Sequence, residues 1–263
     1  MVKEPHSMKT ALVTGAARGI GLGIAQKLHS LGWRVAMLDI DGGELAKAAP
    51  RIDGALAIEA DVGDPDQVES ARQRLAGEFG NQLHALINNA GTADFGPIQQ
   101  ATYEGWREVM RTNLDGPFLT VQAFTSMLAN AKGSVVNITS ISGQRASTLR
   151  VAYGTSKAGL AHLTQQQAVE LSEMGIRVNA VAPGPVNTAM AEKVHTPEIR
   201  AAYRDAIPLA RYGMEAEIAN AVAFLVGEEA SYITGQVLAV DGGFSAAGVG
   251  LPALRGEAYT NRR

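Results

Sequence analysis

An open α/β sheet, wound in both directions with helices on both faces, is the fold class this sequence predicts. Two observations carry it. Short apolar runs alternate with amphipathic helical stretches along the chain, and the first run passes straight into a glycine-rich turn and a helix. A third observation limits the organisation: no stretch reads as a linker, a repeat or a low-complexity segment. The expectation is one domain over residues 9–244, a leader over 1–8 and a tail over 245–263.

Ala11-Leu12-Val13 is short and apolar, as a buried parallel strand is. It runs into Thr14-Gly15-Ala16-Ala17-Arg18-Gly19-Ile20-Gly21, then a helical pattern of Ile24, Ala25, Leu28 and Leu31 closed by Gly32. Gly15 permits a tight turn. Gly19 and Gly21 let backbone approach a pyrophosphate, which the helix N-terminus attracts. A glycine-rich loop alone is also a plain turn; the strand before and the helix after favour a dinucleotide loop.

Val35 to Asp39 reads as the second strand, with its acid eighteen residues past Gly21. A carboxylate there accepts both hydroxyls of an adenine ribose and repels a 2′-phosphate, which favours NAD over NADP. Arg18 pulls the other way, since a cation in the loop suits a 2′-phosphate. Asp39 could instead cap the helix that follows.

Ala55 to Ile58 reads as the third strand. Asp61-Val62 after it either flanks the adenine or begins the turn before a helix near Pro65, with Val68, Ala71, Leu75 and Phe79 on its apolar face. Leu83 to Ile87 is the fourth strand, ending in Asn88-Asn89-Ala90-Gly91 at the end where ligands bind such sheets. Trp106 to Met127 reads as helical, broken near Gly116-Pro117, with Asn113 inside it.

Val135 to Thr139 is the fifth strand and delivers Ser140 at its tip. Tyr153-Gly-Thr-Ser-Lys157 opens a helix running to about Glu173, and residues four apart share a helix face. A cation near a phenol lowers its pKa from about 10, so the tyrosine can exchange a proton with a substrate oxygen. The Ser140 hydroxyl can bond that same oxygen. Taken alone, a tyrosine and lysine at this spacing are common on solvated helix faces.

Ile176 to Val181 is the sixth strand, followed by Ala182-Pro183-Gly184-Pro185. Residues 186–212 have mixed polarity and contain Pro197 and Pro208, as suits a mobile lid. A helix over 218–226 and a last strand over 237–240 lead to Asp241-Gly242-Gly243.

Composition removes other classes. A net charge of −3 argues against nucleic acid and membrane surfaces as partners. The absence of cysteine excludes disulfides, thiol nucleophiles and cysteine-based zinc sites. The five histidines are scattered, so no metal is expected. No apolar run approaches the roughly 20 residues a membrane helix needs, and no signal-peptide core is present. A cytoplasmic enzyme with a small-molecule substrate is the expectation.

Together these motifs resemble the classical short-chain dehydrogenase/reductase family over residues 9–244. The resemblance rests on the Thr14–Gly21 loop, Asp61-Val62, Asn88 to Gly91, Asn113, Ser140, Tyr153 with Lys157, Pro183-Gly184 and Asp241-Gly242-Gly243. It implies a seven-stranded parallel sheet of Rossmann type and hydride transfer. It implies that Tyr153 is the general acid/base, that Ser140 orients the substrate oxygen, and that Lys157 tunes the tyrosine and holds the nicotinamide ribose. Asn113 would support a proton-relaying water. Gly15, Arg18, Gly19, Ile20, Gly21, Asp39, Asp61, Val62, Asn89 and Gly91 would line the loop and adenosine path. Pro183, Gly184, Val186 and Thr188 would meet the nicotinamide end. Homotetramers or homodimers through the helices of Asn113 and Tyr153 are implied as well. Pro185 and the long tail depart from the pattern.

The expected reaction is NAD-dependent interconversion of a secondary alcohol and a ketone. Gln144, Arg145, Arg150 and His195 near the pocket favour a polyol, sugar or hydroxy-acid. One alternative is an NADPH-dependent 3-oxoacyl-[acyl-carrier-protein] reductase, with Arg18, Lys193, Arg200, Arg204 and Arg211 meeting an acidic carrier. Another is a catalytically silent nucleotide-binding regulator.

Overall fold

The computed structural model describes residues 8–248, without the side chains of Met190 and Lys193. Of the expected leader over 1–8 and tail over 245–263, residues 1–7 and 249–263 lie outside the described residues. Seven strands form one sheet: β1 (Thr10–Thr14), β2 (Arg34–Asp39), β3 (Leu56–Glu59), β4 (Ala85–Asn88), β5 (Ser134–Ile138), β6 (Arg177–Pro183) and β7 (Val237–Val240). Their order is β3-β2-β1-β4-β5-β6-β7, and every pair is parallel. The helices are α1 (Gly19–Ser30), α2 (Gly42–Ala48), α3 (Pro65–Phe79), α4 (Tyr103–Met110), α5 (Gly116–Ala131), α6 (Ile141–Gln144), α7 (Val151–Leu171), α8 (Ala189–Val194), α9 (Pro197–Ala206) and α10 (Glu215–Val226).

Parallel strands need crossovers, and helical crossovers cover both faces of the sheet. That is why the central strands are apolar at successive positions rather than alternately. Ala11, Val13, Val35 and Met37 face one layer, where Ile24 and Leu28 of α1 meet Ile218 and Val222 of α10. Leu12, Ala36 and Leu38 face the other, against Leu75 of α3 and Phe124 and Leu128 of α5. Each fully buried valine, leucine, isoleucine, methionine or phenylalanine among them contributes about 1.5–3 kcal/mol. Asp64 caps α3 by accepting from the Asp66 and Gln67 amides, and Pro65 at the first turn needs no acceptor.

The break expected near Gly116-Pro117 takes another form. α4 and α5 are joined by a π-helical turn over Arg111–Asp115, and Pro117 lies in the first turn of α5. A π turn carries an extra residue, so the axis continues while the side chains are re-aimed. Asn113 sits inside this turn and is fully buried. Residues 186–212 fold into α8 and α9. Their ends are stitched together: Asn187 N donates to Gly213 O, and Gly213 N donates to Pro185 O, each across 2.9 Å. Among the described residues no helix is long and apolar enough to cross a membrane.

β1 and β4 are neighbours although the chain leaves them toward opposite edges. The crevice at their carboxyl ends is the topological switch point where ligands bind in open α/β sheets. The loop after β1, the turn after β4 and Ser140 all arrive at this end.

Candidate active site

The glycine-rich loop is built by close approach. Gly15 has φ +62°, and a Cβ there would lie 2.8 Å from Ala90 Cα. Asn89 Nδ2 donates to the Thr14 and Gly15 carbonyls, both at 3.0 Å. Thr14 Oγ1 accepts the Asn89 and Ala90 amides, also at 3.0 Å. Asn89 therefore ties the loop to the end of β4. Gly21 differs from its expected use: a Cβ there would overlap the Gly15 carbonyl, so its bare backbone closes the loop on itself. Gly19, at φ +57°, has only Glu215 Oε1 near its Cβ position, at 3.7 Å, and keeps the α1 N-terminus open. Ile20 packs on the core beneath.

Asp39 is 7% exposed at the tip of β2. Its carboxylate accepts the Ala17 amide at 2.9 Å and the Asp41 amide at 3.0 Å. It does not cap the next helix; Asp41 does, by accepting from Glu44 N. Arg18 pairs with Asp41 at 3.0 Å, so the loop cation already has an acid beside it. Asp61 accepts from Arg111 Nη1 at 2.6 Å and from the Gly63 amide at 2.8 Å, joining the end of β3 to the π turn. Val62 is buried, and a Cβ on Gly116 would lie 2.8 Å from it.

Asn113, Ser140, Tyr153 and Lys157 come together. Asn113 Oδ1 accepts the Thr92 amide at 2.8 Å, while Nδ2 donates to Thr92 O at 2.9 Å and Ser156 Oγ at 3.0 Å. Ser156 in turn donates to the Tyr153 carbonyl at 2.8 Å. A Cβ on Gly91 would lie 3.2 Å from Asn113 Oδ1 and 3.4 Å from Lys157 Nζ. Gly91 thus leaves a small cradle between those two groups. Ser140 begins α6, its Oγ accepting the Ser142 amide at 3.1 Å.

Lys157 is buried, and its Nζ donates to Ile138 O across 2.8 Å. Nζ is 5.9 Å from the Tyr153 ring centroid. Burial without an adjacent anion lowers the Lys157 pKa to about 8. The Tyr153 phenol is held above its ordinary value by burial, against a lowering hydrogen bond with Ser140 and the charge of Arg150. Ser140 and Arg150 are neighbours that favour the phenolate in this unliganded chain.

At the nicotinamide end, Gly184 N donates to Val240 O at 3.0 Å, and a Cβ on Gly184 would lie 2.7 Å from Asp241 Cα. Pro183 ends β6, buried Val186 bridges to Gly213, and Thr188 Oγ1 caps α8 through Ala191 N. Sequence reasoning missed three supporting groups. Ser156 links Asn113 to Tyr153; its position between Tyr153 and Lys157 was the available signal. Asn137 accepts from Asn88 Nδ2 and donates to Thr164 Oγ1, each at 2.9 Å, and an amide inside an apolar strand was a signal. Arg111 lies fifty residues from Asp61 and gave none.

These residues fit a dinucleotide. The glycine cradle is open at the N-terminus of α1, an acid stands at the tip of β2, and a buried ammonium has acceptor need beyond Ile138.

A family profile described as enoyl-(acyl carrier protein) reductase matches residues 15–245. The chain is 39% identical over 242 residues to 3-oxoacyl-[acyl-carrier-protein] reductase FabG of Staphylococcus aureus, covering 89% of this chain and 97% of that protein. It is 38% identical over 248 residues to cis-4-hydroxycyclohexanecarboxylate dehydrogenase of Sinomonas cyclohexanicum, covering 92% and 99%. A solved short-chain type dehydrogenase/reductase from Mycobacterium marinum superposes with TM-score 0.86 at 33% identity, covering 92% of this chain and 97% of that one. Profile, relatives and sheet order agree: the chain belongs to the classical short-chain dehydrogenase/reductase family and is an NAD(P)-dependent oxidoreductase acting on CH–OH donors.

Proposed function

We propose that this enzyme interconverts a secondary alcohol of polyol, sugar or hydroxy-acid type and its ketone, with NAD preferred over NADP. The observation that carries the reading is the meeting of Ser140, Tyr153 and buried Lys157 beside the glycine-built loop. A bound nicotinamide supplies the hydride acceptor or donor.

The chain's own residues do the rest. Gly15, Arg18 and Gly19 with the α1 N-terminus hold the pyrophosphate, over a loop that Gly21 closes and Ile20 anchors to the core. Asp39 takes the adenine ribose, and Asp61, Val62, Asn89 and Gly91 bound the adenosine path. Lys157 holds the nicotinamide ribose, while Pro183, Gly184, Val186 and Thr188 bound the ring. Ser140 Oγ orients the substrate oxygen. Tyr153 Oη takes the hydroxyl proton in oxidation and returns it in reduction. Holding both acceptors near one carbinol is worth several orders of magnitude in rate. Asn113 fixes Thr92 and Ser156 around that centre, and residues 186–212 act as its lid.

Asp39 at the β2 tip and the Arg18–Asp41 pair support NAD, since no loop cation is left unpaired for a 2′-phosphate. The family likeness favours a homotetramer or homodimer through the helical segments of Asn113 and Tyr153, and exposed Phe118 and Val169 on α5 and α7 suit such contacts. The second reading, an NADPH-dependent 3-oxoacyl-[acyl-carrier-protein] reductase, draws on the likeness to FabG.

A screen of secondary alcohols and ketones with both cofactors, followed at the reduced-nicotinamide absorbance, tests these readings. The expected result is alcohol oxidation with NAD favoured at least about tenfold in kcat/KM. Faster reduction of a 3-oxoacyl thioester by NADPH would move the assignment to the second reading. Absence of turnover with either cofactor across the panel would remove both substrate assignments.

A further inference from the structure

Arg150 directly precedes α7 and brings its guanidinium to the reacting phenol. Its Cζ lies 5.9 Å from the Tyr153 ring centroid and 4.7 Å from that of Phe95. The residue is half-buried. Arg18, Arg72, Arg111 and Arg211 each pair with a carboxylate; Arg150 pairs with none among the described residues. Asp94, beside Phe95 in the chain, turns toward α4, where a Cβ on Gly105 would lie 2.6 Å from its Oδ2.

The lid contributes a second guanidinium in the same state. Arg200 of α9 stacks 4.4 Å over Tyr212, and its Nη2 donates to Asn187 Oδ1. Its Nη1 is buried and has no acceptor among the described residues. His195 stands between these influences, its Nδ1 3.0 Å from the Tyr212 hydroxyl. Burial, then the charges of Arg150 and Arg200, hold its imidazole below the ordinary range. Arg150 therefore lends positive charge to the wall beside Tyr153, and no carboxylate among the described residues pairs with it.

A partly desolvated guanidinium is stabilised by an anion that accepts from it, and its planar fork suits a carboxylate. We propose that the substrate is a hydroxy-acid or oxo-acid anion whose carboxylate pairs with Arg150, so that Arg150 selects the substrate class. This rests on the reading of Tyr153 as the proton-transfer group. The carboxylate changes no bond; it fixes the carbinol carbon relative to Tyr153 Oη.

The test compares short oxo-acids with their methyl esters as substrates for the NADH-loaded enzyme. The same compounds are titrated into the enzyme–NADH complex by calorimetry. In the wild type the acids exceed their esters in kcat/KM and in affinity by about 10- to 100-fold, the range for a charge-assisted pair. Arg150→Gln brings the acid-to-ester ratio close to one, chiefly through KM, and Arg150→Lys restores part of it. NADH affinity reports whether each variant is folded. Removing Arg150 also disturbs Tyr153, but that acts on acid and ester alike, and the ratio cancels it. Acids that bind and lose affinity in Arg150→Gln, yet never turn over, would uphold the subsite and defeat the proposed substrate assignment and the role given to Tyr153. Equal handling of acids and esters by the wild type, or no binding of either, overturns the inference. So does an unchanged ratio in a folded Arg150→Gln variant.

Discussion

Lys157 Nζ donates to the Ile138 carbonyl across 2.8 Å, which anchors the buried cation to the last residue of β5. With its pKa near 8 rather than 10.5, this lysine makes stability depend on pH. Between those values the unfolded chain binds the proton and the folded chain releases it. The contribution of this group to stability therefore rises from about pH 8 to about pH 10.5, by on the order of 3 kcal/mol. Denaturation of unliganded wild type and Lys157→Met across this range should show the difference between them changing by that amount. A difference independent of pH would show that Lys157 is not destabilised by its burial.

Tyr153→Phe should retain NAD binding and lose about 10²–10⁴-fold in kcat, the usual weight of a positioned acid/base. Cofactor titration alongside steady-state kinetics separates the two effects. Undiminished turnover would remove Tyr153 from the chemistry.

The rate of alcohol oxidation should rise with pH, because the base is the phenolate. Burial sets the phenol above its ordinary value, and the Ser140 hydrogen bond works against that. Ser140→Ala should shift the rising limb of the profile to higher pH as well as lowering the rate. The observation to check is the pH at half-maximal kcat/KM; a shift to lower pH contradicts the assignment.

Gly21→Ala forces a methyl group onto the Gly15 carbonyl. The cost should be about 2 kcal/mol or more, appearing as lost stability or lost cofactor affinity. Gly77→Ala, on α3 with nothing within 4 Å of the added methyl, should instead be neutral or stabilising by up to about 1 kcal/mol. Equal effects in thermal denaturation would mean that the loop yields where close packing is expected.

Asp39→Asn keeps an acceptor for the Ala17 amide and removes the charge. Preference for NAD over NADP should fall by about tenfold or more, since a negative charge no longer faces the 2′-phosphate. The ratio of kcat/KM with the two cofactors measures it.

Much of the architecture was legible because each strand is a short apolar run and the longer sheet-covering helices repeat at their own period; no bounds for α2, α6, α8 and α9 were read from the sequence. Boundaries moved by a residue or two, as in β4, which runs from Ala85 to Asn88 rather than from Leu83. The π turn was not legible: Gly116-Pro117 signals an interruption, but the slip in register over Arg111–Asp115 depends on what Asn113 and Arg111 meet on other segments. The glycine loop was legible as a motif. That Gly21 makes room for Gly15, and that Asn89 holds both loop carbonyls, depends on contacts across the sheet.

By itself the sequence determined the alternation of strand and helix, the nucleotide loop, and the placement of Tyr153 and Lys157 one helical turn apart. Those follow from local periodicity and spacing. Only the tertiary structure decided which groups act on the phenol. Electrostatics and desolvation depend on distance and burial, and the fold turns Lys157 onto a carbonyl nineteen residues back while bringing Ser140 and Arg150 to Tyr153.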